Sequence, residues 1–281
     1  MARASSPETE RRPRLPALRS SQASPSDPRI FWFTHERDGI VEDVTRRIVA
    51  ETSSEPARVE HALLDLAFTE LRRLARQRDG EASAHLGRFR SLSRRVGHLS
   101  PEEQARELHT QVKRLALDVA GNFDPRVYRF ARGVLPRLLT GVMKPSALPS
   151  ALLDRDGGPL SRILTVQGPV AQLRRLSGIG TLVYVPTHSS NLDSIALGQS
   201  LEMCGLPPVV YGAGKNLFAN PLLSFFMHNL GAYRVDRRIQ AGLYKDVLKA
   251  YASVMVERGC ASRRGKTASG SRARPSRWRT P

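Results

Sequence analysis

The chain has 281 residues, of which 40% are hydrophobic and 25% are charged, and its formal net charge is +18 at pH 7. These proportions fit a globular protein of one large or two small domains, and the strong positive charge favours polyanionic partners such as nucleic acid or an anionic membrane face. Two cysteines, Cys204 and Cys260, are too few for a disulfide scaffold or a cysteine-based metal site, and they fit a reducing compartment.

The first 28 residues are rich in Ser, Pro and Arg and lack the apolar core of a signal peptide. We predict that residues 1–28 form a disordered basic leader. No window of the chain reaches the length and apolarity of a membrane-spanning helix, so any membrane contact is expected to be peripheral. The sequence therefore predicts a cytoplasmic, peripherally membrane-associated protein.

Residues 29–144 are predicted to form a helical domain. Apolar residues recur at helical spacing from Glu55 to Arg78. Ser100 and the proline and acids that follow it are a helix start, and this helix should run to about Val119. The stretch between these two helices, residues 79–100, is only weakly periodic.

A further helix is predicted from Asp124-Pro125 through Leu139, with arginines and apolar residues mixed along it. Such a helix can lie on a membrane surface, because arginines reach headgroups while apolar side chains enter the acyl boundary. It can equally pack on the domain that follows. Both interpretations remain open, and Gly133 and Pro136 weaken a continuous helix.

The second half of the folded chain is predicted to be an α/β domain at residues 161–259, after a linker at 145–160. The apolar run Thr181 to Val185 predicts a buried strand, and Pro207 to Tyr211 is a second apolar run after a helix-like segment. The predicted class is α/β, with a helical N-terminal domain followed by an α/β domain whose sheet is incomplete.

A histidine and an aspartate follow the first predicted strand with four residues between them, at His188 and Asp193. Histidine can take a proton from a substrate hydroxyl near neutral pH, and a carboxylate one helical turn away can fix its tautomer. The plainer interpretation is that His188 caps the next helix and Asp193 is a first-turn acid that the helix dipole favours. The pair alone does not decide between the two.

Cations follow two later elements. Lys215 lies in a turn of small residues after the second apolar run, and the segment Gly231 to Arg238 reads as a short strand ending in arginines. Lysine and arginine bind phosphate, and arginine does so with two parallel hydrogen bonds. A base, an acid and these cations suit a substrate that carries both a hydroxyl and a phosphate.

Three features of the sequence point to a known family: H-S-S-N-L-D, the lysine of G-K-N-L-F, and G-A-Y-R-V-D-R. In this order and spacing they resemble the first two sequence blocks of the glycerolipid acyltransferases, and the resemblance covers roughly residues 165 to 259. The resemblance implies that His188 deprotonates a glycerol hydroxyl, which attacks an acyl thioester, and that Asp193 orients His188. It also implies that Arg237 binds the phosphate, that Lys215 is a further phosphate contact, and that Gly231 belongs to the substrate-binding block. Arg234 and Arg238 flank this block, where they need be no more than solvated.

The resemblance further implies an acyl-CoA or acyl-carrier-protein donor and a glycerol-3-phosphate or lysophosphatidate acceptor at an anionic membrane surface. No metal or cofactor is implied, because a thioester is already activated.

The pattern breaks after Glu257. The family's third block, approximately E-G-x-R-S, does not follow, and residues 260–281 contain seven basic residues and no acid. We interpret this change as a truncation or frameshift, which would leave an incomplete sheet and a catalytically inactive remnant. The other interpretation is a disordered basic tail that binds anionic lipid or nucleic acid. A nucleic-acid-binding protein is the less favoured function and no nucleic-acid partner is expected, because the chain has no zinc-finger spacing and no aromatic-rich RNA-binding block.

Overall fold

The computed structural model describes residues 27–76, 80–143, 164–187, 193–215 and 221–259. Short 3₁₀ helices lie at Arg29–Trp32 and Val96–His98. The α-helices are α1 (Phe33–Thr52), α2 (Pro56–Leu74), α3 (Gly80–Arg95), α4 (Pro101–Val119), α5 (Pro125–Met143), α6 (Val170–Ser177), α7 (Asp193–Met203), α8 (Pro221–Asn229) and α9 (Gly242–Glu257). The strands are β1 (Tyr211–Gly214) and β2 (Ala232–Val235), with β1 preceding α8 and β2 following it.

The start of α4 agrees with its sequence. The Ser100 hydroxyl accepts the backbone N–H of Glu103 at 3.3 Å, and the Glu103 carboxylate accepts the backbone N–H of Ser100 at 2.8 Å. This reciprocal pair satisfies two of the amides that a helix start leaves without partners. The predicted helix from Ser100 to about Val119 is confirmed.

Two stretches with weak helical signals are nevertheless helical. The weakly periodic residues 79–100 contain α3, which buries Phe89 and Leu92 against the neighbouring helices. Helix α5 continues through Gly133 and Pro136 to Met143. In α3 the burial of these two side chains outweighs a weak local helical signal.

The main hydrophobic core joins α1, α2 and α4 to α9, the last helix of the described chain. Its largest fully buried side chains include Phe33, Leu63, Leu66, Leu108 and Tyr251. Because α9 lies in this core, the helical N-terminal region and the end of the predicted α/β region bury apolar surface together. The division into residues 29–144 and 161–259 stays a prediction.

The sheet of the described residues consists of β1 and β2, which run parallel and are connected through α8. The register pairs Tyr211 with Ala232 and Gly214 with Val235. A mostly helical chain with a small parallel sheet agrees with the predicted α/β class.

The predicted buried strand from Thr181 to Val185 is wrong. Residues 181–187 have no regular secondary structure, and Val183 and Val185 are 66% and 90% exposed. Leu182 and Tyr184, on the other side, pack against a small apolar cluster of Leu201, Cys204 and Leu206. The alternation typical of a strand is present, but within the described ranges β1 and β2 pair only with each other and no neighbour forms a ladder with this segment. The second predicted strand also differs, since β1 begins only at Tyr211.

The connection between α4 and α5 pairs with the chain that enters β2. The backbone N–H of Asn122 donates to His228 O at 3.0 Å, the N–H of Asp124 donates to Asn229 O at 2.9 Å, and the N–H of Gly231 donates to Asn122 O at 2.8 Å. Phe123 and Leu230 form an antiparallel bridge in the same place. The N-terminal helical region thus holds the backbone from which β2 starts.

Candidate active site

The two strands bring two predicted site segments to one edge of the sheet. Because β1 and β2 are parallel and Gly214 pairs with Val235, the residues that follow them, Lys215 and Asp236, emerge side by side. The Lys215 Nζ lies 3.6 Å from Asp236 Oδ2. The predicted cation after β1 and the predicted arginine segment after β2 therefore lie together.

Asp236 is the central carboxylate of this edge, and its side chain is only 3% exposed. Its Oδ1 accepts the backbone N–H of Arg238 at 3.0 Å and Arg238 Nε at 3.0 Å, and its Oδ2 accepts Arg238 Nη2 at 3.1 Å. Its own backbone N–H donates to the hydroxyl of Tyr244 on α9 at 2.8 Å. Burial alone would raise the pKa of Asp236, but the hydrogen bonds from Arg238 and the charges of Lys215 and Arg238 hold that pKa below its ordinary value. Asp236 is therefore a carboxylate anion at neutral pH.

The three arginines of this segment have different surroundings. Arg238 binds Asp236, and Arg234 Nη1 lies 3.8 Å from Asp118 Oδ1 near the end of α4. Arg237 is exposed, and its guanidinium forms no ion pair with the described residues, although its carbonyl accepts Gln240 Nε2 at 2.8 Å. Arg234 and Arg238 are thus held in ion pairs rather than merely solvated, and Arg237 points into solvent.

The opposite half of the predicted site is described only in part. Asp193 is the first residue of α7, where the positive end of the helix favours a carboxylate, and it is half-buried. His188 lies outside the described residues, five positions earlier. The pairing of His188 with Asp193 stays a prediction, and the segment of residues 181–187 ends one residue before the histidine.

Comparison with known proteins adds independent support. A family model described as Acyltransferase matches residues 168–268. A curated glycerol-3-phosphate acyltransferase of Xylella fastidiosa (strain M23) is 33% identical over 93 residues, which are 32% of this chain and 10% of that protein. Another, of Haemophilus influenzae (strain PittEE), is 26% identical over 163 residues, which are 58% of this chain and 17% of that protein.

Residues 168–268 therefore match an acyltransferase family, and the curated relatives to which the chain is similar are glycerol-3-phosphate acyltransferases. The chain matches only about a tenth to a sixth of the length of these curated relatives. No solved structure matches the chain. The predicted resemblance to the glycerolipid acyltransferases is confirmed.

Gly231 of the acyltransferase segment has a backbone reason to be glycine. Its φ of +88° is a conformation that other residues rarely adopt, and an added Cβ would lie 3.4 Å from Val209 O. Its carbonyl also accepts the backbone N–H of Tyr211, which starts β1, at 3.2 Å. Gly231 thus makes the turn into β2 at the point where β1 approaches, and its contact with substrate stays a prediction.

Reasoning from the sequence missed the acids that organise the candidate site. Asp236 stands inside the second block, between Val235 and Arg237, so its position could have been noticed. Asp118 is distant in sequence from the block and Tyr244 follows it by six residues, and no local pattern points to either of them. Only the packing of α4 and α9 beside β2 reveals their part.

Proposed function

We propose that this chain is an O-acyltransferase that moves a fatty acyl group from an acyl thioester to a hydroxyl of glycerol 3-phosphate or lysophosphatidate. The observation that carries this proposal is the meeting of Lys215 with the Asp236–Arg238 segment at one edge of the β1–β2 sheet. The family match agrees with acyl transfer. The printed names of the relatives agree with a glycerol-phosphate acceptor.

In the proposed reaction His188 is the base. Its imidazole removes the proton of the acceptor hydroxyl, and the hydroxyl oxygen attacks the thioester carbonyl carbon to form a tetrahedral intermediate. When the C–S bond breaks, the imidazolium returns the proton to the departing sulfur. Asp193 stabilises the imidazolium and fixes its tautomer. The donor is acyl-CoA or acyl-carrier protein, and no redox or metal step is needed for the balance.

Phosphate recognition is proposed for Arg237 and Lys215. Arg237 is exposed and has no ion-pair partner among the described residues, so its two terminal nitrogens are available for phosphate oxygens. Lys215 is 41% exposed and retains donors for a ligand besides its contact with Asp236. Gly231 keeps both groups at the sheet edge through the turn that it makes.

Acyl transfer with a labelled thioester tests the proposal, using glycerol 3-phosphate and lysophosphatidate as separate acceptors. We expect His188→Ala to lower the rate by about 10²- to 10⁴-fold, the range for loss of a general base. His228→Ala, on α8, is the matched control and should change the rate little. A His188→Ala protein as active as the wild type would contradict the assignment. Binding of acceptor without any transfer by the wild-type chain would instead support the inactive remnant.

A membrane-facing surface is the second part of the proposal. None of the helices in the described ranges is long and apolar enough to cross a bilayer. On α5, Phe130 is 58% exposed and stacks on Phe226 of α8 with ring centroids 6.3 Å apart, and Arg129 and Arg132 are exposed beside it. Exposed aromatic rings beside arginines favour the boundary of an anionic bilayer. We therefore propose that α5 and α8 face the membrane.

Sedimentation with vesicles distinguishes this surface from general basicity. The wild-type chain should bind vesicles that contain phosphatidylglycerol better than vesicles of phosphatidylcholine alone, and Phe130→Ser should weaken that binding. Phe68→Ser is the matched control, because Phe68 on α2 is also exposed, at 61%, but lies beside Glu60 and Asp65. Equal losses in both variants would contradict a specific role for α5.

A further inference from the structure

A buried carboxylate occupies the edge at which a phosphate is expected to bind. Asp236 is 3% exposed and stands directly before Arg237. A fixed negative charge at this position repels an approaching phosphate, so simple electrostatics disfavours it. A carboxylate that lies between Lys215 and Arg238 therefore needs a role that offsets this repulsion.

The hydrogen bonds of Asp236 fix the conformation of the turn after β2. Oδ1 accepts the backbone N–H two residues ahead, at Arg238, which is the turn that aspartate makes with its own following chain. The same carboxylate binds the Arg238 guanidinium through Nε and Nη2, and the Asp236 backbone is tied to Tyr244. With the residues on both sides of it fixed in this way, Arg237 projects from the turn into solvent.

The neighbouring elements complete the pairing of charges. Asp118 on α4 holds Arg234, and Glu70 on α2 holds the nearby Arg73 through two hydrogen bonds of 2.9 and 2.6 Å. Arg73, Arg234 and Arg238 are thus each bound to a carboxylate. Among the described residues of this edge, Arg237 and the half-exposed Lys215 have donors available for an anion.

We propose that Asp236 is a positioning residue for the acceptor phosphate, which holds Arg238 and Lys215 in place so that Arg237 and Lys215 converge on the same anion. This inference rests on the proposed function, because it takes glycerol 3-phosphate as the ligand. In this proposal Asp236 strengthens the binding of the phosphate, although its negative charge alone repels the phosphate. Removing the charge should weaken binding of an anion, whereas a purely electrostatic role requires tighter binding.

Titration calorimetry of the full chain with sn-glycerol 3-phosphate tests whether Asp236 strengthens or weakens the binding of this anion. Asp236→Asn removes the negative charge but keeps an oxygen that can accept the Arg238 N–H, and Asp236→Ala removes both the charge and the oxygen. We expect Asp236→Asn to weaken binding about 10-fold, the effect of one lost charge-assisted hydrogen bond, and Asp236→Ala to weaken it further. The partial rescue by asparagine measures the contribution of the turn.

Asp246→Asn is the matched control, since it makes the same charge change at an exposed residue of α9 that pairs with Lys249. It should change the dissociation constant less than twofold. A merely structural role for Asp236 would lower the stoichiometry, which counts folded protein, and leave the dissociation constant unchanged. Binding by Asp236→Asn as tight as that of the wild type, or tighter, overturns this inference and leaves the proposed function standing. Failure of the wild-type chain to bind the probe overturns the proposed function, and this inference with it.

Discussion

The two parts of the segment that matches the acyltransferases differ in how many apolar side chains they bury. The part from β2 through α9 shares a core with α1, α2 and α4, in which Leu63, Val247 and Tyr251 are fully buried. The part from residue 164 to β1 has a cluster of three buried residues, Leu201, Cys204 and Leu206. Valines 183 and 185 of the same part lie in solvent. The same family segment therefore contains both a well-packed and a sparsely packed region.

The arginine predicted to bind phosphate lies in the well-packed region, whereas the predicted base and its partner belong to the sparsely packed one. Arg237, Asp236 and the turn at Gly231 stand on the well-packed region and on the backbone of residues 120–124. Asp193 begins a helix of the sparsely packed region, and residues 181–187, which lead to His188, lie in the same region. Phosphate binding is thus expected to tolerate perturbations that disturb the base and its partner, because regions with few buried contacts open more easily.

The largest expected effect compares a leucine in each region. Leu63→Ala opens a cavity in the main core and should lower the free energy of unfolding by about 3 to 5 kcal/mol. Leu201→Ala should cost less, about 1 to 2 kcal/mol, because its surroundings are partly open and can collapse. Urea unfolding followed by circular dichroism measures both. Equal losses would show that the two regions unfold as one unit with equal packing.

A second prediction concerns the link between the N-terminal helices and β2. A Cβ at Gly121 would clash with the carbonyl oxygen of Ala232 and lie 2.9 Å from its carbonyl carbon, and this backbone cannot yield as a side chain can. Gly121→Ala should cost about 3 kcal/mol by overpacking. Gly87→Ala is the control, since nothing lies within 4 Å of its Cβ in α3, and it should stabilise the protein by about 0.5 to 1 kcal/mol. Thermal unfolding of both variants decides, and a tolerated Gly121→Ala would contradict the close approach of these two backbones.

Much of the fold could be predicted from local sequence, because local rules determine those elements. Ser100 and Glu103 cap α4 through neighbours three residues apart, and the apolar residues at helical spacing after Glu55 form α2. The strand predicted from Thr181 to Val185 was wrong for a different reason. Alternating apolar residues predict a strand, but a strand also needs a partner for its ladder, and the local pattern carries no information about one.

The candidate site divides in the same way. The lysine after β1 and the arginines after β2 were predictable because strand ends and cations are local features. The carboxylates that these cations bind were not predictable, since Asp118 and Arg234 are 116 positions apart in the chain. The involvement of residues 120–124 likewise depends on how the end of α4 packs beside β2. Long-range packing of this kind has no signature in a single sequence.

A third and smaller effect tests the ion pairs that join α9 to α1. Arg258 binds Asp43, and Arg47 binds Glu257 at 2.8 Å. The hydrogen bond from Arg258 lowers the pKa of Asp43, and the hydrogen bond from Arg47 lowers that of Glu257. A lowered folded-state pKa contributes stability above the unfolded pKa, near 4, and this contribution is lost as pH falls through the folded value.

Arg258→Gln removes one of these pairs and should destabilise the chain at pH 7 more than at pH 3. Urea midpoints of wild type and variant should therefore converge as the pH falls below about 4. Arg106→Gln is the control, because Arg106 is 80% exposed and its nitrogen lies 3.9 Å from Glu102. A constant difference between wild type and Arg258→Gln at both pH values would contradict the role of the ion pair.

The smallest expected effect is at the exposed side of residues 181–187. Val185→Thr should change the free energy of unfolding by less than about 0.5 kcal/mol, because the side chain is 90% exposed. The same change at the fully buried Val247 of α9 should cost about 1 to 3 kcal/mol, since it places a hydroxyl in the core. Chemically identical substitutions thus measure burial in the two regions directly. If Val185→Thr proved as costly as Val247→Thr, this face would be covered in solution, and a concentration dependence of its unfolding would identify a second copy of the chain as the cover.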